Sequence, residues 1–213
     1  NYIMRRKGPL SLGVNQLGGL VRATPDAPRL DTQLYINPIT YSVTDGDTRR
    51  LTKPNRAPGF ALSFNSCRPY SAGSVYIKSA DAADPPAIHG NYLDDQRDID
   101  DVLRMARFIG RMQNSPSVQK LLAAPPETNL LALSDNEIID DFRTRSGTVF
   151  HPCGTCRMGP DRRDSVVDPQ LRVHGVGKLR VADAAIFPNI TSANTNAPTI
   201  AVAHKAADLI LQS

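Results

Sequence analysis

The hydrophobic pattern of this chain changes its period once, and that change decides the fold class. Through the first ninety residues apolar and polar side chains alternate in Thr32-Gln-Leu-Tyr-Ile-Asn37, in Gly59-Phe-Ala-Leu-Ser-Phe-Asn65 and in Gly73-Ser-Val-Tyr-Ile-Lys78, the period of two that marks strands with one covered face. Antiparallel strands are expected there, with Asp45-Gly46 as a tight turn and the proline-rich stretches at 54–58 and Asp84-Pro85-Pro86 as connections. From Asp95 the period becomes helical. Ile99, Val102, Leu103, Ala106, Ile109 and Met112 share one face, and Asp98, Asp100 and Asp101 sit at the end where a helix dipole favours acids. The spacing predicts a helix over 97–113, a short one from Ser115-Pro116 through Leu122, a third opened by the capping-box pattern Ser134-Asp-Asn-Glu137 and running to Arg145, and a last one over 198–211. Strands followed by helices make an α+β pattern. Residues 1–150 are read as a sheet-plus-helix domain and 151–213 as a separate C-terminal segment.

With 213 residues, 40% of them hydrophobic and 22% charged, the chain has the material for a sizeable core. It contains no run of eighteen apolar residues, and Arg5, Arg6 and Lys7 precede no apolar stretch of signal-peptide length, so membrane insertion is not expected. The net charge of +4 is scattered, with Arg5–Lys7, Arg49/Arg50 and Arg162/Arg163 as its tight groups, and aromatics are 6% with no tryptophan; a nucleic-acid partner is not expected. Three cysteines, Cys67, Cys153 and Cys156, are too few for a secreted disulfide framework and point to a reducing, cytoplasmic setting. The opening, NYIMRRKGPLS, reads like the middle of a longer protein.

The tail from His151 onward is dense in Gly, Asn, Thr and Pro, the composition of loops that position chemistry. Phe150-His-Pro-Cys-Gly-Thr-Cys-Arg-Met-Gly159 admits three chemistries. Zinc would need a second close ligand pair, and only the isolated His174 and His204 are on offer, so no metal is expected. A dithiol redox pair would sit at a helix start, which Gly154-Thr155 followed by Cys-Arg-Met-Gly-Pro does not resemble. His151 alone could serve as an acid/base, or be a structural histidine. Further on, Leu179 to Ala182 read as a short strand ended by Asp183, and Asn194 to Asn196 as a polar loop running into a helix with Asn196 as N-cap and Pro198 in the first turn. A helix start approached without acidic residues is either simply capped or open to an anion.

Taken together, several blocks in one order resemble the C-terminal signature of the glucose-methanol-choline (GMC) oxidoreductases, flavoenzymes that include choline dehydrogenases, aryl-alcohol oxidases and glucose oxidase. They are His151-Pro-Cys-Gly-Thr-Cys-Arg-Met-Gly159, Val167-Asp-Pro169, Leu171-Arg-Val-His-Gly-Val176, Leu179-Arg-Val-Ala-Asp-Ala184, Asn194-Thr-Asn-Ala-Pro-Thr199 and Lys205-Ala-Ala-Asp-Leu-Ile210. Upstream, Arg6-Lys-Gly-Pro-Leu-Ser11, Arg68-Pro-Tyr-Ser-Ala-Gly-Ser-Val75, Asp84-Pro-Pro86 and Asn91-Tyr-Leu93 extend the match over nearly the whole chain. The resemblance implies a substrate domain with an antiparallel sheet of about six strands backed by helices, and a tail that completes an FAD-binding domain. It implies FAD as cofactor, an alcohol as substrate and oxygen or a quinone or dye as electron acceptor. His151 matches the family's catalytic histidine and Asn194 its partner position. Asp183 and Ala184 match the stretch passing the FAD pyrophosphate, and Thr195, Asn196, Ala197 and Pro198 match the flavin-facing helix start. Cys153 and Cys156 are read as structural thiols. The family's Gly-rich G-x-G-x-x-G turn has no counterpart here, Gly18-Gly19 being the single glycine pair, so the isolated chain is expected to be an inactive fragment without FAD. A hydroxynitrile lyase of the same family, or a non-catalytic binding module or decayed relative, are the alternatives. With its partner surface removed, the tail is expected to expose Leu179, Val181, Ile186, Phe187 and Ile190 and to dimerise through them.

Overall fold

The period change at Asp95 reappears as a change of architecture in the computed structural model, which describes residues 2–7, 11, 13, 15, 17–40 and 55–212. After a single helical turn, α1 (Tyr2–Arg5), come β1 (Leu17–Val21), β2 (Thr32–Asn37), β3 (Ala61–Ser66), β4 (Ser74–Tyr76) and β5 (Ala87–His89). They are followed by α2 (Gln96–Gln113), α3 (Pro116–Gln119), α4 (Asp135–Arg145), a 3-10 turn (Ala184–Ile186) and α5 (Asn196–Leu211). The chain divides into two compact units: residues 1–66 with 99–147, and residues 67–98 with 148–213.

In the first unit β1, β2 and β3 form one antiparallel sheet in that order, with Leu34 opposite Phe64 and Ile36 opposite Leu62. The helices that follow bury the faces their spacing marks. Val102, Met105, Ala106 and Ile109 of α2 are buried, as are Ile138 and Ile139 of α4, and Phe142 of α4 stacks on Phe64 of β3 at 5.8 Å between ring centroids. The start of α4 carries both halves of the capping box: the Glu137 N–H donates to Ser134 Oγ, and the Ser134 N–H donates to the Glu137 carboxylate. That second bond holds the Glu137 carboxyl below its usual range.

The second unit pairs β4 with β5 and builds a core from the tail itself. Val167, Leu171, Ile186, Phe187 and Ala206 are buried together, with Met158, Val173, Val181, Val202 and Leu209 packed against them. Asp98, also buried, accepts hydrogen bonds from the Tyr70 and Ser71 N–H groups at 2.8 and 2.7 Å, so its carboxylate does more than complement a helix dipole.

Three expectations are corrected here. The sheet of about six strands is, among the described residues, one of three strands and one of two. Strand β4 stops at Tyr76 because the chain turns on itself just beyond: Ser79 Oγ donates to Asp84, and the Ala83 N–H to Asp81. Residues 179–182 make a single antiparallel bridge, Arg172 to Arg180, instead of a strand. The third correction concerns the apolar patch expected to drive dimerisation. Ile186 and Phe187 are 1% and 7% exposed within their own unit, leaving Leu179 as the exposed member of that set with Val181 and Ile190 half-buried. The expected Asp45-Gly46 turn lies outside the described residues. No helix among the described residues is long and apolar enough to cross a membrane.

A tail with its own core should resist truncation at Ile186 and tolerate it at Leu179. In urea unfolding, Ile186→Ala is expected to cost roughly 2–5 kcal/mol, whereas Leu179→Ala should stay within about 0.5 kcal/mol. The reverse ranking would contradict the core as described.

Candidate functional site

His151 and Asn194 stand 43 residues apart in sequence and meet in the fold. Asn194 Nδ2 lies 2.5 Å from His151 Nε2, and His151 Nδ1 lies 3.1 Å from Thr195 Oγ1. Both ring nitrogens are therefore engaged. His151 is half-buried, Asn194 exposed and Thr195 buried, so the pair opens outward from a covered base.

No helix or strand holds His151; backbone hydrogen bonds do. The Cys156 N–H donates to the Ala185 carbonyl at 2.9 Å and the Met158 N–H to the Ile186 carbonyl at 2.8 Å, tying the segment after His151 to the 3-10 turn. The Gly159 N–H continues to the Val167 carbonyl at 2.9 Å. Gly154 lets this segment approach: its φ is +86°, and a Cβ there would sit 3.3 Å from the Phe187 carbonyl oxygen. On the other side, the Ala193 N–H donates to the carbonyl of buried Cys67 at 3.1 Å, and Arg68 Nη1 donates to Ser192 Oγ at 2.9 Å.

Left-handed backbone flanks both site residues. Phe150, immediately before His151, has φ 59°, and Ser192 and Ala193, immediately before Asn194, have φ 62° and 76°. Such conformations are costly for residues with a Cβ and persist only where the surroundings impose them.

Helix α5 starts two residues before the expected position 198, and its boundary residue lies one residue earlier than expected. Thr195, not Asn196, is the boundary residue, because its carbonyl already accepts the Thr199 N–H at 3.0 Å and the Thr199 hydroxyl at 2.7 Å. Asn196, Ala197 and Pro198 form the first turn, in which no residue is acidic and no side-chain cap is made. The first-turn N–H groups, which no intrahelical carbonyl can reach, are thus unclaimed by any capping side chain, and Asn196 and Ala197 are exposed. This donor set fits an anionic edge of a flavin. Asp183 and Ala184 begin the 3-10 turn, where Asp183 bends its carboxylate back to the Ala185 N–H at 2.7 Å. That arrangement suits a phosphate passing the backbone better than an outward carboxylate would. No hydrogen bond among the described residues joins Asp183 or Ala184 to the His151–Asn194 pair.

None of the three cysteines forms a disulfide, and burial pushes the Cys153 thiol up, away from the thiolate that redox or metal chemistry uses. The His174 ring lies 3.0 Å from Ser165 Oγ and 3.2 Å from the Gly159 carbonyl through Nε2, pinning the loop between them. No group of three His, Cys, Asp or Glu residues able to hold a metal occurs among the described residues. The features missed from the sequence are the Thr195 contact to His151 and the Arg68 and Cys67 contacts that hold the 192–193 loop. None has a periodic or motif signal of its own.

A family model described as GMC oxidoreductase matches residues 69–203. Alcohol dehydrogenase [acceptor] of Pseudomonas putida is 38% identical over 214 aligned residues, covering 100% of this chain and 37% of that protein. The mitochondrial choline dehydrogenase of Homo sapiens is 34% identical, covering 92% of this chain and 32% of its own length. Among solved structures, a formate oxidase superposes with a TM-score of 0.80 at 27% identity, covering 98% of this chain and 40% of that one. The chain thus spans about a third to two fifths of the length of these relatives.

The left-handed Ala193 allows a direct test of the loop geometry. Ala193→Gly should stabilise the chain by about 0.5–1 kcal/mol, the roughly 1–2 kcal/mol left-handed penalty less the roughly 0.4–1 kcal/mol of extra freedom glycine has when unfolded. Urea unfolding checks it, and a clear loss of stability would contradict a left-handed Ala193.

Proposed function

We propose that this chain, which belongs to the GMC oxidoreductase family, supplies the base, His151, and its hydrogen-bonding partner, Asn194, of an FAD-dependent oxidation of an alcohol CH–OH to a carbonyl. The observation that carries the reading is the meeting of His151 Nε2 with the Asn194 amide above a buried Thr195. An imidazole nitrogen accepts a hydroxyl proton at neutral pH, and a neighbouring amide N–H can donate to the same alcohol oxygen. At 2.5 Å the two side chains leave no room for an oxygen between them. Binding therefore parts the pair, Asn194 being the exposed and hence the movable member. The alcohol oxygen then takes the place of the direct contact, bonded by the Asn194 amide while His151 takes its proton.

Bound FAD supplies the acceptor for the carbon-bound hydrogen, taken as hydride. Asn196 and Ala197 at the start of α5 would place their N–H groups and the positive end of the helix dipole toward the anionic edge of a bound flavin. Ala184, with the Asp183 carboxylate bonded to the Ala185 N–H, would leave backbone to face the pyrophosphate. The sequence holds no Gly-rich G-x-G-x-x-G turn, so the contacts this chain would make to the cofactor are those to the flavin and the pyrophosphate. The Pseudomonas putida relative is named alcohol dehydrogenase [acceptor], which supports an alcohol as substrate and a separate electron acceptor.

In a flavin-loaded enzyme containing this chain, His151→Ala is expected to lower turnover by roughly 10²–10⁴-fold while bound-flavin absorbance is retained. Asn194→Ala should cost less, since it removes a hydrogen bond and leaves the base. Wild-type-like turnover in His151→Ala would remove the histidine from the mechanism.

A further inference from the structure

A threonine at a helix boundary ordinarily turns its hydroxyl onto an N–H of the first turn. Thr195 does not. It makes no side-chain capping bond, it is buried at 6% exposure, and its hydroxyl lies 3.1 Å from His151 Nδ1. The bonds it accepts from Thr199 go to its carbonyl. The hydroxyl has been diverted from the helix end to the histidine.

A neutral imidazole has one donor nitrogen and one acceptor nitrogen, and the partner of one fixes the state of the other. The Asn194 amide nitrogen, 2.5 Å from Nε2, is a donor and needs a lone pair there. The ring proton then belongs on Nδ1, where the Thr195 oxygen can accept it. A free histidine side chain in water prefers the opposite form, with its proton on Nε2, so this arrangement must be imposed by the protein.

We propose that Thr195 is a positioning residue for His151: its hydroxyl accepts the Nδ1–H, holds the neutral ring in the Nδ1–H form, and keeps the Nε2 lone pair toward Asn194. The inference deepens the reading of His151 as the proton acceptor and rests on it, since only the Nδ1–H form leaves Nε2 basic toward an alcohol. The left-handed residues Ser192 and Ala193 serve the same end, bringing Asn194 and Thr195 to the two ring nitrogens at once.

Long-range nitrogen-15 NMR of the histidine rings in this chain, at a pH where His151 is neutral, reads which nitrogen carries the proton. The expected result is the Nδ1–H form in the wild type, a shift toward Nε2–H in Thr195→Val, and recovery of Nδ1–H in Thr195→Ser. A wild-type ring protonated on Nε2 overturns the proposal, and so does a folded Thr195→Val chain that keeps the Nδ1–H form. The wild-type spectrum decides the matter even if the valine variant does not fold. In flavin-loaded enzyme, Thr195→Val should lower kcat with little change in KM, by less than the roughly 10²–10⁴-fold expected for loss of the base, with Thr195→Ser restoring it. The two readings fail separately: an Nδ1–H ring together with full turnover in His151→Ala defeats the function alone, whereas an Nε2–H ring with turnover lost in His151→Ala defeats only the role given to Thr195.

Discussion

Two backbone hydrogen bonds, from the Cys156 N–H to the Ala185 carbonyl and from the Met158 N–H to the Ile186 carbonyl, are the constraint on which the candidate site depends. His151 belongs to no regular element, and a loop residue is placed only as well as its neighbours are. The acceptors sit on a 3-10 turn whose Ile186 is among the most deeply buried side chains of its unit, against Val167, Leu171 and Ala206 of α5. Apolar burial thus fixes the turn, the turn fixes the segment after His151, and the same core fixes the helix that Asn194 and Thr195 lead into. Burying a side chain such as Ile186 contributes on the order of 1.5–3 kcal/mol, more than a single net hydrogen bond of about 0.5–1.5 kcal/mol. The hydrophobic term therefore holds the site together, and the hydrogen bonds set its register.

Around that anchor the polar residues depart from local preference. Phe150, Ser192 and Ala193 occupy left-handed backbone, and Thr195 leaves the end of α5 without its side-chain cap. Each departure is unfavourable on its own terms, and all of these lie within two residues of His151 or Asn194. Conflicts between local rule and global fold of this kind concentrate at functional positions.

The elements with a strong period were readable from sequence. Strand β2 falls on the alternating stretch from Thr32 to Asn37, and α2 and α4 begin within a residue of the positions their helical spacing and capping pattern mark. Strand β1 was not readable, because Leu17-Gly-Gly-Leu-Val offers no alternation and only Val21 as a β-branched side chain, and it is recruited by pairing with β2. The short β5 is likewise made by its partner, with Ala87 opposite Tyr76. About six strands were expected from the resemblance; among the described residues there are five, in two sheets, and residues 79–84 and 179–182 spend their hydrogen-bonding capacity on local turns and a lone bridge. The burial of Ile186 and Phe187 was misread for a related reason: without periodic spacing, a loop's apolar residues give no sign of whether they cover their own unit or another. His151 and Asn194 could be named from the order of the motif blocks, but their contact, and the hydroxyl beneath it, depend on distances that no one-dimensional pattern records.

Native-state amide hydrogen exchange at Cys156 and Met158 tests most directly whether this core, and nothing outside the chain, places His151. Opening of a segment is governed by what it buries and bonds. If the ladder to Ala185 and Ile186 holds, both amides should exchange with the slow, globally limited kinetics of Ala206 in the middle of α5. Exchange as fast as that of the exposed turn residues Gly177 and Lys178 would contradict it and show that the His151 segment is not organised by the tail's own core.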